Sequence, residues 1–243
     1  MPSAPVPGDS RNPASDRAAT QVFVSDLEAV TISGEDAHHL ATVLRLKRGE
    51  TVIASDGRGS WRSCIFIGSQ PWIEPITESR FLPQSTDRVT VGFVPVKGDR
   101  PEWVVQKLTE VGVDRIVVLR SERSVVRWEG PRAGGVLERL GKVATSAAAQ
   151  SRRPWIPEVA GVFRLAEFAQ VGPIILAEHG GQRLHGGAPI CVGPEGGWTD
   201  AELELASETV GLGAGVLRSE TAAVVAGVLA CAERDRLLPE SGK

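Results

Sequence analysis

The sequence predicts an α/β domain built on a parallel sheet, preceded by a small all-β module. Between residues 21 and 79, short β-like runs follow one another at close spacing. From residue 89, nearly continuous apolar runs alternate with amphipathic helical stretches, the grammar of βαβ units whose helices cover both faces of a parallel sheet. Near the C-terminal end, the apolar run Ile190-Cys191-Val192 empties into Gly193-Pro194-Glu195-Gly196-Gly197 and then a helix start. A buried strand delivers its end into a loop in this way.

In chain order, residues 1–20 are rich in Pro, Ser, Ala and Asp without periodicity and read as a disordered tail. Residues 21–82 form the β-module, with strands expected at 21–24, 51–55, 60–67 and 72–77. Asp56-Gly57-Arg58-Gly59 is a hairpin turn, one helix falls at 36–44, and a small barrel or sandwich is the expected shape. Pro83-Gln84-Ser85 reads as a linker. The second domain spans 88–240. It opens with a strand at 89–96, a helix at 101–111 with Val104, Leu108 and Val111 on one face, and a strand at 113–119. Strands at 173–177, 189–192 and 216–217 then alternate with helices at 132–150, 199–210 and 220–237. The 199–210 helix is marked by the capping-box pair Thr199 and Glu202, by Asp200 at the positive end of the dipole, and by Leu203, Ala206 and Val210 on one face. Along the last helix, Ala222, Val225 and Leu229 make one stripe with Ala223, Ala226 and Ala230 beside it, wider than one sheet contact needs.

Composition bounds the function. The 243 residues, 42% hydrophobic and 23% charged, are those of a soluble globular protein. No apolar run approaches the ~20 residues of a membrane span, the start lacks the apolar core of a signal peptide, and Cys64, Cys191 and Cys231 are isolated. A reducing cytoplasm is the expected compartment, with no membrane partner. Net charge is −3, but its distribution matters more than its total. Residues 115–153 carry nine Lys or Arg against three Glu, while residues 195–240 carry nine acids against three Arg. Trp128 and Trp155 lie among those arginines, a composition suited to stacking on unpaired bases; residue by residue, a solvated helix face with core tryptophans is the plainer reading. The adjacent His38 and His39 point in different directions on a helix and have no third ligand nearby, so no metal is expected. Arg45, Lys47 and Arg48 form a small basic cluster.

A glycine loop before a helix usually attracts phosphate. This one carries Glu195 and lacks both the Lys-Ser/Thr of a P-loop and the spacing of a dinucleotide fingerprint, so it favours a neutral or cationic small molecule. Taken alone, the five residues fit a plain strand-to-helix turn equally well.

His38-His39-Leu40 with Val43-Leu44-Arg45 is followed in order by Lys97-Gly98-Asp99, Gln106-Lys107 with Glu110 and Gly112-Val113, and Ser121-Glu122-Arg123-Ser124. Gln150-Ser151-Arg152-Arg153, the glycine loop and Leu217-Arg218-Ser219-Glu220-Thr221-Ala222 complete the series. From about residue 21 onward this ordered set resembles the RsmE family of SPOUT-class methyltransferases, which methylate N3 of a uridine in 16S ribosomal RNA. Ala149 departs from the Glu that relatives often carry, and Gly213-Ala214-Gly215 is smaller than the Gly-x-Arg common there.

The resemblance implies a PUA-like β-barrel for RNA, a trefoil-knotted SPOUT domain, a homodimer, and S-adenosylmethionine as cofactor. It places the cofactor against Leu176, Glu178, Gly193, Pro194, Glu195, Gly196, Gly197, Leu212, Gly213, Leu217 and Thr221. RNA would meet His39, Arg45, Arg123, Arg127, Arg152 and Arg153, and catalysis would fall to Arg218 and Glu220. Net positive charge on the cofactor suits a loop bearing Glu195. Uridine N3 is weakly acidic, so Arg218, just before a Ser219-capped helix, would stabilise the developing anion; Glu220 would orient Arg218 or help remove the proton. A non-catalytic RNA-binding adaptor, methylation of a different RNA, and a small-molecule α/β enzyme are the other classes. The first predicts loss of the loop or Arg218, and the last leaves the basic stretch and the β-module without a role.

Overall fold

The computed structural model describes residues 13, 18–185 and 187–237. They fall into two compact units, one of residues 1–84 with 148–156, the other of 85–147 with 157–243. Most of the expected tail lies outside the described residues. The first unit nevertheless begins earlier than expected, because Ala18 is buried with Ile53 and Trp61 and β1 runs over Thr20–Phe23.

β1 pairs in parallel with β2 (Thr51–Ser55), which pairs antiparallel with β3 (Ser60–Phe66) across the 56–59 turn. Asp56 Oδ1 accepts from the Arg58 and Ser60 amides and fixes that turn. β4 (Ile73–Pro75) and a strand not expected from sequence, β5 (Arg80–Phe81), both add to β3. Val52 and Ala54 of β2 face one apolar cluster and Ile53 faces the other, so both faces of the strand are covered. α1 (Gly34–His38), capped by the Ser33 hydroxyl, continues into a π-helical turn over His39–Val43.

The second domain expected from sequence includes residues 148–156, but these pack with the first unit. The Arg153 carbonyl accepts from Gln21 Nε2 at 2.8 Å, the Trp155 indole donates to the Leu82 carbonyl at 2.8 Å, and the Gly59 amide donates to the Pro154 carbonyl at 2.9 Å. Sequence distance hid these pairings. Trp155 lies on Gly59, so its ring is committed to the unit's own packing.

In the second unit, β6 (Thr90–Phe93), α2 (Arg100–Val111), β7 (Arg115–Arg120), α3 (Pro131–Gln150) and β8 (Glu158–Arg164) build right through the expected βαβ pattern. α4 (Leu165–Ala169), β9 (Ile175–Gln182), β10 (Ile190–Val192), α5 (Asp200–Leu203), β11 (Glu208–Val210) and α6 (Ser219–Leu237) follow. All six strands are parallel, in the order β11-β9-β10-β6-β7-β8. Ile116 and Val118 face one apolar cluster while Val117 and Leu119 face the other, as a doubly covered sheet requires.

Within the second unit the structure differs from expectation at four further places. The 199–210 helix is a single capped turn, after which Val210 joins an edge strand; Ser207 amide and hydroxyl both bond the Ile174 carbonyl and end the helix. Residues 216–217 are irregular, not a strand. β8 and α4 are additions to the expected elements: Gly161 interrupts the β pattern inside β8, and α4 is only five residues long. On α6 the buried stripe is the small one, Ala223, Ala226 and Cys231, with Gly227 against Leu108 and Val113; of the expected stripe Leu229 is exposed and Ala222 and Val225 are half-buried, and neighbouring Val228 is exposed as well.

A Cβ at Gly59 (φ +100°) would come within 2.6 Å of the Trp155 ring and 2.8 Å of the Leu82 carbonyl oxygen. Gly59→Ala is therefore expected to lose at least about 2 kcal/mol through left-handed strain and overpacking, seen as a lower urea midpoint with unchanged slope.

Candidate active site

The strand order reverses its direction of growth between β10 and β6: the chain adds β7 and β8 on one side, and β9 and β11 flank β10 on the other. Ligands of open α/β sheets sit beyond the carboxyl ends of strands at such a point. Here the glycine loop leaves β10, and it is braced from three directions. Trp198, 5% exposed, lays its ring on Gly193, where a Cβ would approach within 2.9 Å, and its indole donates to the Ala177 carbonyl of β9 at 3.1 Å. The Arg123 guanidinium donates to the Gly196 and Trp198 carbonyls at 2.7 and 3.0 Å. The Ser219 hydroxyl donates to the Gly193 carbonyl at 2.7 Å and ties the start of α6 to the loop. Buried Glu202 adds a fourth link, accepting from the Thr199 and Glu122 amides at 2.9 Å each.

These braces surround a cleft lined by Glu178, His179, Gly193, Pro194, Glu195, Gly197 and Trp198 on one side and by Leu212, Gly213, Gly215, Val216 and Leu217 on the other. Two carboxylates and one imidazole border it, and among the described residues no Lys or Arg lines it. Eight of the eleven residues expected at the cofactor line this cleft. Leu176 instead packs in the sheet core, Gly196 faces Arg123, and Thr221 is exposed on α6.

Of the two roles open to Glu220 from sequence, pairing with Arg218 has no ion pair or hydrogen bond behind it among the described residues. Glu220 faces Arg100, whose Nη1 lies 3.5 Å from Glu220 Oε1 and 3.6 Å from Glu195 Oε1. Arg218 is exposed, and its side chain has no hydrogen bond or ion pair among the described residues. Its carbonyl accepts the first bond of α6 from the Ala222 amide at 2.8 Å, so Arg218, not Ser219, holds the cap position, and the Ser219 hydroxyl serves the loop.

The RNA methyltransferase domain family matches residues 83–230, and the RNA methyltransferase PUA domain family matches residues 32–71. A curated relative, the ribosomal RNA small subunit methyltransferase E of Bacillus subtilis, is 31% identical over 236 residues, 85% of this chain and 91% of that protein. The protein of the same name from Synechocystis is 33% identical over 81% of this chain and 71% of its own length. The crystal structure of a ribosomal RNA small subunit methyltransferase E from Neisseria gonorrhoeae bound to S-adenosyl methionine superposes with a TM-score of 0.70 at 25% identity, covering 86% of this chain and 94% of that one.

The chain belongs to the ribosomal RNA small subunit methyltransferase E family. Its fold is the α/β, SPOUT-type domain of that family joined to a PUA domain.

Within this family member, the residues expected to meet RNA divide into two groups. His39 and Arg45 are exposed on and after the π-helical turn, and Arg127 is exposed after β7. Arg123 braces the glycine loop, the Arg152 guanidinium donates to the Ala18 carbonyl, and Arg153 is half-buried with its carbonyl bonded to Gln21. Trp128 is buried in the main apolar cluster. The basic stretch is partly neutralised by its own neighbours, with Arg120 on Glu129, Arg139 on Glu102 and Lys142 on Glu138. Among the described residues, no group of three His, Cys, Asp or Glu converges as metal ligands do.

The sequence reading missed Trp198 and Arg100 and expected Ser219 as a helix cap, not as the link to the Gly193 carbonyl. Trp198 and Ser219 sit in or beside quoted motifs, and Arg100 directly follows Lys97-Gly98-Asp99. Arg123→Ala is expected to raise amide hydrogen exchange across residues 195–198 by about tenfold, the scale of a lost charge-assisted hydrogen bond. Exchange mass spectrometry reads it; unchanged protection would remove Arg123 as a brace.

Proposed function

We propose that this chain is an S-adenosylmethionine-dependent methyltransferase acting on N3 of one uridine in 16S ribosomal RNA, working as a cytoplasmic homodimer. The observation that carries the cofactor reading is the cleft itself: a glycine-rich floor at the sheet's reversal point, bordered by Glu178 and Glu195 and, among the described residues, lined by no Lys or Arg. Such a lining repels a polyphosphate and accepts a ligand of net positive charge. Loop backbone at residues 193–197, with Leu212 and Leu217 opposite, would hold the adenosine part, and the carboxylates would hold the cationic part. Bound there, the cofactor supplies a methyl group activated by a sulfonium.

The chain's own residues do the rest. Arg218, unpaired at the start of α6, is free to face negative charge that develops on a uracil as N3 loses its proton. Glu220 has one oxygen on Arg100 and the other, Oε2, buried without a partner among the described residues, which supports it as proton acceptor over orienter of Arg218. In the first unit, His39 and Arg45 offer RNA an exposed polar surface, and Arg127 does so in the second. Val228 (45% exposed) and Leu229 (38%) on α6, with Trp103 on α2, give the apolar surface for a second subunit.

Calorimetry should detect binding of S-adenosylmethionine and its demethylated product but not of ATP or NAD, and small-subunit RNA from cells lacking the protein should miss one N3-methyluridine by mass spectrometry. ATP binding that neither sulfur ligand displaces, or an unchanged methyluridine profile, overturns the reading.

Arg218→Ala should slow single-turnover methylation at saturating cofactor and RNA by about 2–4 kcal/mol of barrier, with ground-state affinities changing much less. A rate near wild type in the folded variant removes Arg218 from the mechanism.

A further inference from the structure

Arg100 is the first residue of α2, at the end of a helix where the dipole favours anions and disfavours a guanidinium. Two carboxylates from other elements meet it there: Glu195 of the glycine loop and Glu220 of the first turn of α6, at 3.6 and 3.5 Å from the same nitrogen, Nη1. Each pair alone is partly exposed and contributes little. Together they differ from a surface pair. Glu220 is 13% exposed, its Oε2 has no partner among the described residues, and without Arg100 two carboxylates that share one nitrogen would repel each other.

We infer that Arg100 is a positioning residue of the methyl-transfer site: by bridging Glu195 and Glu220 it locks the glycine loop to the start of α6. This rests on the reading of the cleft given above. The loop floors the cleft, α6 opens with Arg218 and Glu220, and the Ser219 hydroxyl on the Gly193 carbonyl is a second, uncharged link between the same two elements. Arg100 adds the charged link, leaves the Arg218 guanidinium unclaimed by Glu220, and commits one oxygen of Glu220 while the other, buried, has no partner among the described residues.

The test joins calorimetry with S-adenosylhomocysteine to single-turnover methylation of purified small subunits. Arg100→Gln is expected to weaken the affinity about tenfold and to slow turnover at saturating cofactor about tenfold. Because Arg100 acts through its partners, adding Glu195→Gln should not compound the loss of affinity, and adding Glu220→Gln should not compound the loss of rate. Arg100→Lys, which keeps the charge without the fork, should regain part of both.

A folded Arg100→Gln with wild-type affinity and rate overturns the proposal, whether or not its melting temperature falls. Losses that add fully in both double variants overturn it too. If Arg100→Gln does not fold, Arg100→Lys carries the same cycles. Wild-type protein that bound neither sulfur ligand would sink the reading of the cleft and this proposal together, whereas intact wild-type binding with an unaffected variant sinks the proposal alone.

Discussion

The site depends on one close approach, the Trp198 indole lying on Gly193. Any side chain at Gly193 would enter the ring, and the ring in turn reaches back to the Ala177 carbonyl. That bond joins the loop after β10 to neighbouring β9, so the cleft between them keeps its width. The Gly193 carbonyl then receives the Ser219 hydroxyl, which fixes where α6 begins. A glycine is needed because a ring and a helix start must both meet the backbone at one residue, and only a missing Cβ leaves room.

Charge is arranged in two layers around this point. Carboxylates border the cleft, whereas arginines approach its loop from outside, Arg123 on the Gly196 and Trp198 carbonyls and Arg100 on Glu195 and Glu220. Under the proposed function the inner layer would favour a cationic ligand, and the outer layer keeps several acids tolerable near one another. α6 is anchored at its far end as well, where Arg234 Nη1 meets Asp114 Oδ2 at 3.0 Å and the Gly112 carbonyl at 3.2 Å. Both ends of that helix are therefore held by polar contacts while small residues let its middle lie close to α2.

Much of the fold was legible because its signals are local. Alternating β runs, the 56–59 turn and the apolar strand at 115–120 follow from side-chain period and turn chemistry, which neighbouring residues settle between themselves. The helix expected at 199–210 failed for the opposite reason. Its capping box forms as expected, but Ser207 bonding to Ile174 and pairing of Glu208 and Thr209 with β9 outweigh the propensity of so short a segment.

By itself the sequence determined the two kinds of architecture, the glycine loop with its unusual acid, and the family these motifs resemble, because each is written in contiguous residues. Only the tertiary structure decided the partners of the charged and aromatic side chains. Arg123 braces the loop where RNA contact was expected, Trp155 lies on Gly59, Trp128 is core, and Glu220 faces Arg100 in place of Arg218. A long side chain takes whichever partner the fold brings within reach, and for these residues that partner stands far away in the chain, where no local pattern records it.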